Sequence, residues 1–393
     1  MRYLEIKNFG PVKDAYIEIK SLNLFIGEQS IGKSTVAKLI SLFTNKVVLF
    51  MVIKDEKAWK EALTLYDLDI YDGSPYSITF FTEEFGKGLK VFFSNQSCDV
   101  EYSVENDKIS DRQEVVSILM RQGMPDMSSF NIGDDIQKTM KEAVGEILKQ
   151  SLYVPAERNL AAIIANALPA MTIAKASVPN SILFFLSDYY NARAEYKRMD
   201  MSMLGIEYLN SDSTDEFVVK STGSKYPMQA ASSGIQSAAP LLLVLKYAGE
   251  HGNYSSFVIE EPECNLYPDK QVELLYFIIK TLREKGPIVT ITTHSPYLLS
   301  SINNLLYAGS LSLQADKTVK ENIREIYQET LWYTPKDCAV YSLGEEANAG
   351  EAYCRNIIDE ETGLVDFNAL DKVSIAMGDD FNRLEQINID IIG

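Results

Sequence analysis

The sequence is poor in the residues that build metal and redox sites. Its 393 residues include 2 histidines and 4 cysteines. Cys98, Cys264, Cys338 and Cys354 are scattered, with neither the paired spacing of a zinc site nor the density of a disulfide framework. A zinc-finger module and a small disulfide scaffold are therefore excluded, and a reducing cytoplasm is the expected home. Long apolar runs are missing too. No stretch of about 18 apolar residues occurs, so no transmembrane helix is expected. Val47–Ile53 is apolar but short, and reads as core. Met1-Arg2-Tyr3-Leu4-Glu5 lacks the architecture of a signal peptide. Positive charge is scarce: 37 Lys and Arg stand against 55 Asp and Glu, a formal net charge of −18. Such a surface repels nucleic acid, so DNA contact would need a local basic patch or a partner. It suits protein partners equally well.

What is present is a folded-domain composition, 46% hydrophobic and 23% charged, long enough for one large core or two modest ones. The organising stretch is Leu22–Thr35. An apolar strand leads into Gly27-Glu28-Gln29-Ser30-Ile31-Gly32-Lys33-Ser34-Thr35, and a helix is expected from Lys33. Gly27-x-x-x-x-Gly32-Lys33-Ser34 fits the phosphate-binding loop pattern. The glycines let backbone N–H groups wrap an anion, and the helix N-terminus faces it. Lys33 is expected to reach the β- and γ-phosphates of a nucleotide, and the Ser34 hydroxyl to ligate Mg²⁺.

Ahead of the loop, alternating residues 3–7 and 15–20 predict antiparallel strands joined by Asn8-Phe9-Gly10-Pro11-Val12. They suggest a β-subdomain lying against the nucleotide. Beyond it, residues 55–66 read as helix, 76–108 as a β-meander, and 111–122 and 135–150 as helices. Ser151–Arg158 reads as a strand ending in polar groups. These are either a γ-phosphate or water contact, or a capped helix start with a surface ion pair. Residues 159–210 read as mostly helical. Arg193, Lys197 and Arg198 form the clearest basic cluster, expected on one helix as a solvated face or as a contact for an acidic partner or nucleic acid. Residues 206–220 predict a hairpin.

Four motifs follow. Ala231-Ser232-Ser233-Gly234-Ile235-Gln236-Ser237 places small residues at a helix N-terminus, either a second anion site or an ordinary capped helix. Ser256–Glu263 is an apolar strand delivering two acids. Glu260 is placed to hold hydrated Mg²⁺, and Glu261 to orient or deprotonate an attacking water. The alternative is a pair of solvated carboxylates. Pro262–Pro268 is a proline-bracketed turn into a helix over 269–285. Pro287–Ser295 is a buried strand ending in His294, where parallel strands deliver functional groups. A strand is expected at 339–343, and Gly378-Asp379-Asp380 as a polar turn before the final helix.

In this order the motifs resemble the ABC-type ATPases of the branch that includes SMC, RecF and OLD-like proteins. Ala231–Ser237, Ile259–Glu263 and Thr293-His294-Ser295-Pro296-Tyr297-Leu298-Leu299 look similar to stand-alone bacterial ATPases of the OLD-like group, the anti-phage PtuA and AriA kinds among them. The resemblance covers roughly residues 1–45 and 151–305. It implies an α/β, ABC-ATPase-type P-loop fold with an antiparallel β-subdomain and a helical insertion lacking a long coiled coil. The implied division is 1–158 and 211–310 as the two parts of an ATPase head, 159–210 as the insertion and 311–393 as an α/β extension. Gly27–Thr35 would be the Walker A loop, Glu260 the Walker B acid and Glu261 the catalytic glutamate. Ser232 and Gly234 would lie in the signature motif, Glu263–Leu266 in the D-loop, and His294 would be the switch histidine. The signature lacks the usual leucine and double glycine, and the Walker B acid is Glu where Asp is commoner. Glu157 and Arg158 stand where a Q-loop is sought.

The implied cofactors are ATP and Mg²⁺. The implied assembly is a homodimer or larger homo-oligomer closed around ATP by the partner's Ser232 and Gly234. A regulatory role in anti-phage defence, with a separate nuclease effector, follows from the resemblance. A RecF-like repair ATPase and an ATP-dependent scaffold with little turnover are the alternatives.

Overall fold

The computed structural model describes residues 1–83, 88–95, 97–104, 107–121, 149–164, 178–211, 214–252, 254–283, 286–344, 353–366 and 368–392. The helix expected at 135–150 lies almost wholly outside them.

The chain opens with β1 (Arg2–Phe9), β2 (Val12–Glu18) and β3 (Leu22–Gly27), then α1 (Lys33–Thr44), α2 (Lys46–Lys54) and α3 (Ala58–Leu65). The alternation in β1 and β2 buries Leu4, Ile6, Ala15 and Ile17 on one face. β3 is buried along its whole length, as a central parallel strand must be. β4 (Ser77–Thr82), β5 (Leu89–Ser94), β6 (Cys98–Val104) and β7 (Asp107–Ile109) complete the meander, followed by α4 (Arg112–Arg121). These strands join β1 and β2 in one antiparallel sheet of order β2-β1-β4-β5-β6-β7. The apolar stretch expected to be core is α2, whose Val47 to Phe50, Val52 and Ile53 are buried. Phe43, Trp59, Phe80 and Phe93 stack between α1, α3 and this sheet.

β8 (Gln150–Val154), α5 (Leu160–Ile164) and α6 (Asn180–Glu195) come next. Then β9 (Arg198–Met201), β10 (Ile206–Ser211), β11 (Thr214–Val219) and β12 (Lys225–Pro227) form a second antiparallel sheet of order β12-β11-β10-β9. The stretch expected to be helical to residue 210 therefore ends in strands. α6 stops at Glu195, and the alternating Arg198-Met199-Asp200-Met201 pairs with β10 instead of extending the helix.

α7 (Ser233–His251), β13 (Tyr254–Glu260), α8 (Pro268–Arg283), β14 (Ile288–Thr292), α9 (Pro296–Gln314), α10 (Lys317–Ile326), β15 (Cys338–Leu343), β16 (Cys354–Asn356) and α11 (Ala369–Ile392) complete the chain. The main sheet has the order β16-β15-β3-β14-β13-β8, parallel except for the β15–β16 pair. Two strands from the C-terminal half, β14 and β15, thus flank β3 in parallel, so the C-terminal ends of all three lie on one edge. Gly378-Asp379-Asp380 lies inside α11 and makes no turn there. Among the described residues no single helix is long and apolar enough to cross a membrane.

Candidate functional site

The loop after β3 is shaped by backbone geometry that few residues tolerate. Gly27 has φ 144°, Ser30 φ 63° and Gly32 φ 105°. A Cβ on Gly32 would lie 2.7 Å from a Val12 methyl, so the β1–β2 turn packs directly on the loop. Gly32 precedes α1 and has no side chain with which to cap it, so the first N–H groups of that helix lack a side-chain acceptor at the N-cap. Lys33 is buried, and its Nζ donates to the carbonyls of Gly27 (2.8 Å) and Glu28 (2.6 Å). Burial lowers the Lys33 pKa, while Glu261, Glu260, Glu263 and Glu28 raise it. Glu28, Gln29, Ser30 and Ser34 are exposed, Ile31 is half-buried and Thr35 is buried.

Two neighbouring strands deliver the acids and the histidine. β13 ends at Glu260, opposite Thr292 of β14. Glu260 is buried, and its Oε1 has no hydrogen-bond partner. Burial pushes its carboxyl pKa up, and the hydroxyls of Ser34 and Tyr153 act in the opposite direction. Glu261 follows with φ 41°, its N–H donating to the Thr292 carbonyl (2.9 Å). Its Oε1 lies 3.4 Å from His294 Nε2, and its Oε2 accepts from Cys264 Sγ at 3.2 Å. The His294 pKa is lowered by burial and by Lys33, against the opposing pull of Glu261.

His294 is held from behind. Its backbone N–H donates to Glu263 Oε1 (2.8 Å), which also accepts from Thr293 Oγ1 (2.6 Å). Burial raises the Glu263 pKa. Ser295 caps α9, accepting from the N–H groups of Tyr297 and Leu298, and its Oγ is 2.5 Å from Gln271 Oε1 of α8.

An oxygen-only pair, Ser34 and Glu260, fits Mg²⁺, which keeps waters and takes its other ligands from substrate phosphates. The unpartnered buried Oε1 of Glu260 is the observation that supports this fit. Among the described residues no cluster of three or more His, Cys, Asp and Glu could hold a metal by itself.

The glycine loop, two acids and a histidine are thus gathered at the ends of neighbouring parallel strands. Residues 1–138 and 130–299 match the family model described as AAA ATPase domain. The chain belongs to this ATPase family. Its fold is α/β, with the glycine loop joining β3 to α1. The sequence has no match among curated proteins. Similar solved structures include the SMC head domain from Thermotoga maritima, at 12% identity and TM-score 0.39 over 76% of this chain and 92% of that one. An SMC head bound to the C-winged helix domain of ScpA gives 15% identity and TM-score 0.38 over 76% and 90%. An SMC head with extended coiled coil, bound to the C-terminal domain of ScpA derived from Pyrococcus furiosus, gives 14% and 0.36 over 76% and 92%.

Within this ATPase, Ser232 is exposed at the N-cap of α7, and α7 packs against α5, α6 and α8. Gly234 is buried: a Cβ there would lie 2.7 Å from the Asn265 carbonyl oxygen. The small residue is thus required by the turn after β13.

Two polar expectations change. Arg158 is neither a phosphate contact nor half of a surface ion pair. It is 1% exposed, and its guanidinium is spent on backbone carbonyls. The basic cluster also dissolves. Arg193 is buried and donates from Nε to Asp215 at 2.8 Å, whereas Arg198 lies in β9 and pairs with Glu207 at 2.6 Å. The helix ends between them, so the residues share no face.

The C-terminal part reaches the phosphate loop, which its sequence did not announce. β15 pairs with β3 so that Leu343 lies opposite Gly27, and a Cβ on Gly27 would meet the Leu343 carbonyl oxygen at 2.5 Å. The Tyr353 hydroxyl lies against the carbonyls of Pro11 (2.9 Å) and Ile31. No motif signals this contact; only the strand order creates it.

Proposed function

We propose that this ATPase hydrolyses ATP with Mg²⁺, using Glu261 as the catalytic glutamate. The observation that carries the reading is the 3.4 Å approach of His294 Nε2 to Glu261 Oε1 beside Lys33, on strands adjoining the phosphate loop. Lys33 would exchange the Gly27 and Glu28 carbonyls for phosphate oxygens. Ser34 and Glu260 would hold Mg²⁺, which when bound neutralises phosphate charge. Glu261 would orient the attacking water and receive its proton, and His294 would hold Glu261 and face the γ-phosphate.

The assembly belongs to the same proposal. One loop and one helix end cannot surround a triphosphate. The exposed Ser232 at the start of α7 would close the ATP of a second copy, with Gly234 letting α7 seat closely on Asn265. ATP would then favour a closed homodimer by binding it preferentially.

On the resemblance to OLD-like ATPases, the cellular role is regulation of a separate effector, a nuclease in anti-phage defence, in the cytoplasm. The repair reading loses its support here, because Arg193 and Arg198 are each paired with an acid and the net charge is −18. The test is affinity purification of Glu261→Gln from its native cells with ATP. A co-purifying nuclease encoded nearby supports regulation of an effector. Co-purifying DNA without a protein partner overturns that reading in favour of repair.

A further inference from the structure

Arg158 is the largest fully buried side chain in the described structure, at 1% exposure. A guanidinium carries five N–H donors in a planar fork. Here Nε donates to Ser237 O (3.2 Å), Nη1 to Glu260 O (2.8 Å) and Pro155 O (3.4 Å), and Nη2 to Glu261 O (2.8 Å) and Pro262 O (3.0 Å). The acceptors are all backbone carbonyls, drawn from the end of β8, the first turns of α7 and the turn after β13. Burial lowers the Arg158 pKa, while Cys264, Glu263, Glu261 and Glu260 oppose that and favour the charge.

Three successive carbonyls, those of residues 260 to 262, converge on one cation. A chain does this only by turning sharply, and Glu261 at φ 41° supplies the turn. The Glu261 N–H is fixed by Thr292 and its carbonyl by Arg158. With both ends of the residue held, its side chain is aimed at His294. The same guanidinium holds Ser237 of α7, and Gly234 seats α7 on Asn265 of the same turn. α7 and the turn are therefore joined at two points.

We infer that Arg158 is a positioning residue that couples the N-terminal end of α7 to the backbone of Glu261, so that docking of α7 on a partner's nucleotide sets the hydrolytic geometry. The inference rests on the proposed role of Glu261. Lysine cannot replace the fork, because a single ammonium cannot span carbonyls on three segments.

The test compares Arg158→Lys and Arg158→Gln with the wild type and with Glu261→Gln. Nucleotide-binding sites are counted by titration with a fluorescent ATP analogue, so that misfolded protein drops out. Turnover per site is expected to fall at least about tenfold in both Arg158 variants, with analogue affinity within about twofold of wild type. Wild-type turnover per site in Arg158→Lys overturns the inference. Parallel loss of binding and turnover also overturns it, since a merely structural residue behaves that way. If Glu261→Gln itself turns over normally, the proposed function fails. If Glu261→Gln is inactive while Arg158→Lys is normal, only the positioning role fails.

Discussion

Two glycines with nearly the same backbone make a controlled experiment on the contact between the C-terminal part and the phosphate loop. Gly205 has φ 69° and Gly344 φ 71°. A Cβ on Gly205 would meet nothing within 4 Å, whereas one on Gly344 would lie 1.8 Å from Cγ1 of Ile31, inside the loop. Alanine at Gly205 should therefore carry only the left-handed penalty, about 1–2 kcal/mol. Alanine at Gly344 carries the same penalty and must also displace Ile31, adding about 1–3 kcal/mol of overpacking strain. Stabilities would be compared by urea denaturation with m-values held in view, and ATP binding by titration. Gly344→Ala is expected to be the less stable by about 1–3 kcal/mol and to bind ATP more weakly, with Gly205→Ala keeping wild-type affinity. Equal destabilisation, with unchanged ATP affinity in both, would refute the reasoning that the end of β15 shapes the loop.

Lys33→Ala should abolish nucleotide binding, read by the same titration, because the loop loses its buried cation. Glu261→Gln should retain ATP while losing at least about a hundredfold in turnover, and size-exclusion chromatography with ATP should show it held as a dimer. Asp215→Ala removes a buried carboxylate that accepts from Arg193 Nε, the Tyr189 hydroxyl and Asn210 Nδ2; it should destabilise the protein by about 3–5 kcal/mol, measurable in urea. Since burial lowers the His294 pKa, the folded state favours the neutral ring. Protonation opposes that state, so stability from this group is present above the ordinary histidine pKa and lost as pH falls below it. His294→Gln should flatten that acidic dependence in thermal melts at pH 5 to 7.

The site was legible in the sequence wherever chemistry demands fixed residue types at fixed spacing. Gly27, Gly32, Lys33 and Ser34 fall within eight residues because such a loop is a local structure, closed by its own backbone. Glu260, Glu261 and His294 could be read because apolar strands of recognisable length ended in them. The antiparallel opening and the meander followed from period-two alternation. Arg158, by contrast, looks from its neighbours like an ordinary polar strand end. Its partners at residues 237 and 260–262 are backbone carbonyls, which carry no side-chain signature and become acceptors only once β8, α7 and β13 are packed.

The basic cluster failed for a related reason. Arg193, Lys197 and Arg198 are near in sequence, but α6 ends at Glu195 and β9 begins at Arg198, which sends the charges to different neighbours. The sequence by itself determined the glycine loop between β3 and α1 and the acids and histidine at the ends of β13 and β14, since local spacing and apolar periodicity set both. Tertiary structure alone decided that a strand from residues 338–343 lies beside β3, and that one buried guanidinium ties the α7 helix to the Glu261 turn. Both depend on strand order and on contacts between residues far apart in the chain, which periodicity does not encode.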